Sequence, residues 1–180
     1  MRLEFCHWLH TNRQLLPLIL FTDEAAFTRN GIKNTRNSHR WSHDNPHCIV
    51  DTNYQSRFSI NVWCGMIDGM LTGPLILDDR MTGQNYLDFL QNGLPEQLQD
   101  VPLTTRTAMY FQHDGAPCHY TRLVMQHLND TFPNRGIGIG STMNWPPRSP
   151  DQTPVRFLFM GLDEGRVKCT EEKWIHETNC

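Results

Sequence analysis

The chain has 180 residues and a formal net charge of −3 with histidine neutral, with 38% of its residues hydrophobic and 19% charged. That is enough chain for one domain with a core, and the balance is that of a globular rather than a disordered sequence. The mild acidity argues against strong sequence-specific DNA binding by this segment alone, no apolar run approaches the ~20 residues that span a bilayer, and the N-terminal MRLEFCHWLH has neither the apolar stretch nor the cleavage site of a secretory signal.

In chain order, residues 3–16 carry a weak helical pattern that Pro17 ends, a helical lead-in covering 1–16. Leu18-Ile19-Leu20-Phe21 is a continuous apolar run, the mark of a central strand buried on both faces, and it stops at Thr22-Asp23-Glu24. Residues 28–56 are polar, with Asn30-Gly31 and Asn45-Pro46 as turn signals, and read as a loop-rich insertion. Phe58, Ile60, Val62 and Cys64 alternate at strand period, and Asp68-Gly69 separates this strand from Met70–Leu77 as a hairpin. Tyr86 to Leu98 is near helical spacing, weakened in the middle by Gly93 and Pro95. Met109-Tyr110-Phe111 is a short strand ending at His113-Asp114-Gly115. A helix follows around Leu123–Leu128, then a short strand at 136–140, a proline-rich loop at 145–150, and a helix start with Thr153 as N-cap and Pro154 at the first helical position. A hairpin joined to strand–helix alternation predicts an α/β domain, a mixed sheet flanked by helices.

Asp23 and Asp114 follow two predicted core strands. Rigid strands fix a carboxylate in position, and two carboxylates held on neighbouring strands repel unless a divalent cation lies between them. Oxygen ligands suit Mg²⁺ or Mn²⁺ rather than zinc. Each aspartate alone is equally an ordinary turn residue, so the pattern by itself gives a plausible metal site and no more.

The segments FTDEAAFTRNG, RFSINVWCGMIDG, YLDFLQNGLP, FQHDGAPCHYTR and WPPRSPDQTP occur in that order. Together they resemble the catalytic domain of the mariner-like transposases of the DDE superfamily, especially the arthropod-type elements, over about residues 1–162. The resemblance implies an RNase H-like fold over 17–162 and metal-dependent cleavage of DNA phosphodiesters followed by strand transfer, with two metal ions. It also implies DNA partners at transposon ends and target, a homodimer, and a nuclear location, with no membrane and no small-molecule substrate. Asp23 and Asp114 match the family's first two acids, both as catalytic residues and as metal ligands. The third acid falls just past the proline that starts the last helix, where this chain has Arg156, with 41 residues between it and Asp114. Asp151 matches a different aspartate of the motif. Asp163 is seven residues further on, roughly 10 Å along a helix at ~1.5 Å per residue, too far to replace a ligand. Arginine has no acceptor and cannot ligate a cation, so the expected domain is catalytically impaired.

The family's helix-turn-helix DNA-binding domains are absent from this sequence, and from about Gly161 the pattern is lost, so 163–180 reads as a divergent tail expected to pack poorly. None of the six cysteines forms a CxxC pair, which argues against a zinc knuckle or redox pair. His119 is read as a structural or DNA-backbone contact, and Trp41, Trp63 and Trp145 as core or loop anchors. Arg29, Lys33, Arg36 and Arg40 read as a solvated face, with phosphate contact as the alternative. Three functions compete: a nuclease rescued by another ligand, a non-catalytic DNA- or protein-binding domain, and an inert remnant of a mobile element.

Overall fold

The computed structural model describes residues 2–28, 31–32, 59–78, 81–147, 149 and 152–155. Helix α1 (Arg2–Thr11) leads through a 3₁₀ turn (Arg13–Leu18) into strand β1 (Ile19–Thr28), followed by β2 (Gly31–Ile32) and the hairpin β3 (Ser59–Ile67) and β4 (Met70–Leu77). Helix α2 (Gly83–Asp88) runs through a π turn (Phe89–Gly93) into α3 (Leu94–Gln97). Helix α4 (Leu103–Ala108), strand β5 (Tyr110–Gln112), helix α5 (Arg122–Thr131) and strand β6 (Gly136–Ile137) complete the order, and Pro154 and Val155 are helical at its end.

The sheet runs β4-β3-β1-β5-β6, with β2 pairing β1. β1 is antiparallel to β3, β3 to β4, and β1–β5 and β5–β6 are parallel. Alternation along the strands sorts their side chains into two cores. Leu20, Trp63, Ile67 and Phe111 meet Tyr86, Phe89, Leu90, Val124 and Leu128 of the α2–α3 segment and α5 on one face. Ile19, Phe21, Ala25 and Cys64 meet Phe5 of α1, Trp145 and Val155 on the other. The mixed, helix-flanked sheet read from the sequence is therefore the observed architecture. Trp63 and Trp145 are core residues, as expected; Trp41 lies outside the described residues.

The Asp68-Gly69 turn is where the sequence put it, and both residues take positive φ, 50° and 74°, as a two-residue turn matched to strand twist requires. Other elements differ. β1 does not stop at Phe21: β3 pairs with it from Phe21 to Thr28, so polar residues that carry no strand signal of their own are held extended. Asp23 is thus inside a strand rather than at its end. α1 stops at Thr11, and Pro17 lies within the 3₁₀ turn rather than capping a long helix. The expected helix over 86–98 is three pieces. Pro95 has no N–H for the carbonyl four residues back, and the helix widens into a π turn just before it. α4 carries no apolar periodicity and was not expected from the pattern. Apart from Thr28, at the end of β1, and Gly31–Ile32, the predicted insertion at 28–56 lies outside the described residues, as do Arg29, Lys33, Arg36 and Arg40, position 156 and the tail at 163–180. Among the described residues no helix is long and apolar enough to cross a membrane.

Candidate active site

The parallel pairing of β1 with β5 sets the site. Ile19, Leu20 and Phe21 stand opposite Tyr110, Phe111 and Gln112. Asp114 lies two residues past the end of β5, while Asp23 lies two residues past Phe21, inside β1. The junction is tied by Gln112, which is fully buried: its Oε1 accepts from the Thr22 amide at 3.1 Å and its carbonyl from the Thr22 hydroxyl at 2.7 Å. A buried polar pair of this kind fixes the relative height of the two strands, because slipping it leaves desolvated groups unbonded.

Asp23 stands opposite Cys64 of β3, half-buried, and its Oδ1 accepts from the Glu24 amide at 3.0 Å. Burial first, and then the Asp23 charge, push the Cys64 thiol up to about 11. Phe21, Ala25 and Cys64 share their core with fully buried Val155, the residue before Arg156. The last helix therefore starts on the face of the sheet from which Asp23 projects.

Asp114 opens a tight loop. Its Oδ1 accepts from the Ala116 amide at 2.9 Å, and the His119 amide donates to the Ala116 carbonyl at 2.9 Å. That brings His119 Nδ1 to 2.8 Å from the same Oδ1, while His119 Nε2 lies 3.5 Å from Glu24 Oε2. Glu24, Asp114 and His119 thus form a cluster whose ligand-type atoms lie within 4.8 Å of one another. The sequence reading named neither Glu24 nor the His119–Asp114 contact. The FTDE and HDGAPCH segments contain both residues, but alternation puts Glu24 on the opposite face from Asp23, and only the fold turns the loop back to it.

Charge and burial compete here. Burial pulls His119 down, but the Glu24 charge and then the bond to Asp114 outweigh it and raise its pKa to about 11, so the ring is an imidazolium. Burial raises Asp114, yet its bond to His119 and the imidazolium charge hold its carboxyl below the usual range. Burial pushes Glu24 up to about 7; His119 opposes this, and Asp114 and Asp23 add to it. Glu24 Oε1 is buried without a hydrogen-bond partner among the described residues.

His113 directly precedes Asp114 and is 1% exposed, its ring tilted against that of Phe111 with centroids 5.8 Å apart. A Cβ at Gly138 would come within 2.4 Å of His113 Nε2. Gly138→Ala is therefore expected to destabilise the protein by about 1–3 kcal/mol, the usual cost of overpacking a filled site, read as a lower urea midpoint. An unchanged midpoint would show that the His113 ring is free to move away.

As to the fit of a divalent cation, Asp23 and Asp114 each carry the hard oxygen donors that Mg²⁺ or Mn²⁺ takes, and among the described residues the ligand-type groups that stand together are Glu24, Asp114 and His119. Among the described residues, both hydrogen bonds to the Asp114 side chain converge on Oδ1. Arg156, which follows Val155 in sequence, lies outside the described residues.

No family model and no curated protein matches the chain. Solved structures do. The Mos1 transposase in its paired-end complex with the left transposon end superposes with a TM-score of 0.63 at 18% identity, covering 97% of this chain and 51% of that one. The isolated catalytic domain of Mos1 mariner transposase gives 0.62 at 18% identity, covering 97% and 75%. The same catalytic domain with Raltegravir and Mn gives 0.62 at 17% identity, covering 97% and 76%. The chain spans about half the length of the transposase in the paired-end complex. At this identity the likeness is one of fold: the chain has the RNase H-like fold of the catalytic domain of a mariner transposase.

Proposed function

We propose that the chain is a transposase-derived DDE endonuclease domain that acts on DNA, with phosphodiester cleavage impaired by Arg156. The observation that supports the reading is the parallel pairing of β1 with β5, the two strands that lead to Asp23 and Asp114, in a sheet with the fold of the Mos1 catalytic domain. In this reading Asp23 and Asp114 hold Mg²⁺ or Mn²⁺. Bound there, such cations would supply charge stabilisation for an in-line displacement at phosphorus and would lower the pKa of the attacking hydroxyl. The chain's own part is placement: the Thr22–Gln112 bonds fix the height of Asp23 against Asp114, and the loop through Ala116 fixes the Asp114 carboxylate. Arg156 offers no acceptor and adds a positive charge where the family has a ligand, so two-metal occupancy is weak. The partners are DNA at transposon ends and target, and a second copy of the chain; the place of action is the nucleus. The Mos1 neighbours include a paired-end complex and a strand transfer complex, which supports the DNA partner.

A second reading is favoured by Arg156 itself: a domain of this fold that has kept DNA or protein binding without cleavage, or an inert remnant of the element. A supercoiled-plasmid nicking assay with Mn²⁺ separates the readings. The wild-type chain is expected near background, and Arg156→Asp above it, with the gain lost in Arg156→Asp/Asp114→Asn. Strong nicking by wild type that survives Asp23→Asn and Asp114→Asn overturns the assignment of these acids.

A further inference from the structure

Both nitrogens of the His119 ring face carboxylates that come from different parts of the fold. Nδ1 is 2.8 Å from Asp114 Oδ1 and 3.3 Å from the Asp114 carbonyl, and Nε2 is 3.5 Å from Glu24 Oε2 on β1. The side chain is 2% exposed. Its ring lies on that of Tyr86, centroids 4.2 Å apart, and meets His113 edge-on at 5.5 Å. Packing therefore fixes the ring plane, and the carboxylates occupy both of its edges.

We propose that His119 is a positioning residue of this site: anchored on one edge by Glu24 and on the faces by Tyr86 and His113, it grips Asp114 by Oδ1 and so turns Oδ2 toward the cation. The proposal rests on the reading of Asp114 as a metal ligand. A free strand-end aspartate exchanges its two oxygens by rotation about its terminal torsion, which is broad and two-fold. Two donors on Oδ1, the Ala116 amide and the His119 ring, remove that freedom. Glu24 keeps the ring from following Asp114. It also accounts for a glutamate placed on the strand next to the candidate ligand Asp23 yet projecting to the other face. Partners that orient a ligand in this way are worth about 10–100-fold in metal affinity.

The test uses the full chain carrying Arg156→Asp, titrated calorimetrically with Mn²⁺, with thermal midpoints of the metal-free forms measured alongside. His119→Ala is expected to weaken Mn²⁺ binding about 10–100-fold. His119→Asn, whose amide nitrogen stands near the Nδ1 position and can donate to Asp114, restores most of it. His119→Gln, whose nitrogen reaches the Nε2 position instead, does not. If the alanine variant fails to fold, the asparagine–glutamine contrast carries the test. Equal affinities across the variants, or affinities that merely follow the midpoints, overturn the proposal. Should Arg156→Asp bind no Mn²⁺ at all, Asp114 is not a ligand and the functional reading falls. Wild-type NMR then decides the grip separately: a low-field Nδ1 proton lost in both His119→Ala and Asp114→Asn supports it, and no such proton overturns it.

Discussion

Replacing Trp63 with alanine is expected to lower stability by about 3–5 kcal/mol, the range for deleting a buried aromatic. Trp63 is 0% exposed in the centre of β3 and tilts against Phe89 of the π turn with centroids 5.1 Å apart. It joins the sheet to the α2–α3 segment that also carries Tyr86, the platform under His119. At this chain length the loss corresponds to a fall of roughly 6–20 °C in the thermal midpoint. The indole nitrogen has no hydrogen-bond partner among the described residues, so Trp63→Phe is expected to cost much less than the alanine change. A midpoint unmoved by Trp63→Ala would show that this face of the sheet is not a packed core.

Acid is expected to weaken the metal-free protein through His113. Burial first, then the His119 charge, push its pKa down to about 4, and the bond to the Asp114 carbonyl and the Asp114 charge oppose this less strongly. The unfolded chain, with an ordinary histidine near 6.5, therefore takes up the proton more readily than the folded one. The stability this group contributes is complete above about 6.5 and is lost as pH falls through about 4. At ~1.4 kcal/mol per pK unit the loss is about 3 kcal/mol. Glu24 works in the opposite sense: its folded pKa, about 7, lies above the ordinary value, so its contribution is complete at low pH and lost as pH rises through 7. The total curve mixes both, and the comparison that isolates His113 is urea unfolding of wild type against His113→Gln at pH 7, 5.5 and 4. Wild type should lose about 3 kcal/mol more than the variant across that range; parallel losses would mean that His113 is not held neutral in the folded state.

Where the sequence carries its own periodicity, the elements are legible. The apolar run at Leu18–Phe21, the alternation through Ile60–Cys64 and the Asp68-Gly69 turn each bear a local signal, and each is where that signal points. The length of β1 is not legible, because Thr22, Asp23 and Glu24 are extended by pairing with β3 rather than by their own preference. α4 is missed for the same reason: Leu103-Thr104-Thr105-Arg106 has no apolar stripe, and its place in the tertiary structure sets its shape. At the site, Asp23 and Asp114 stand out because each follows an apolar run. Glu24 and His119 do not, since the contact between them depends on a loop doubling back across two strands. A lone histidine in a polar motif gives no hint of which carboxylates will meet it.

The most direct test of the central claim is a calorimetric titration of wild type and Arg156→Asp with Mn²⁺. Wild type is expected to bind weakly. Arg156→Asp should bind about tenfold more tightly or better, a gain of ~1.4 kcal/mol or more, because it exchanges a repelling cation for an oxygen ligand. Adding Asp23→Asn to Arg156→Asp should remove that gain. Tight binding of two ions by wild type, left unchanged by Arg156→Asp, would contradict the account: position 156 would then lie away from the metals, and Asp23 and Asp114 would need a different third partner.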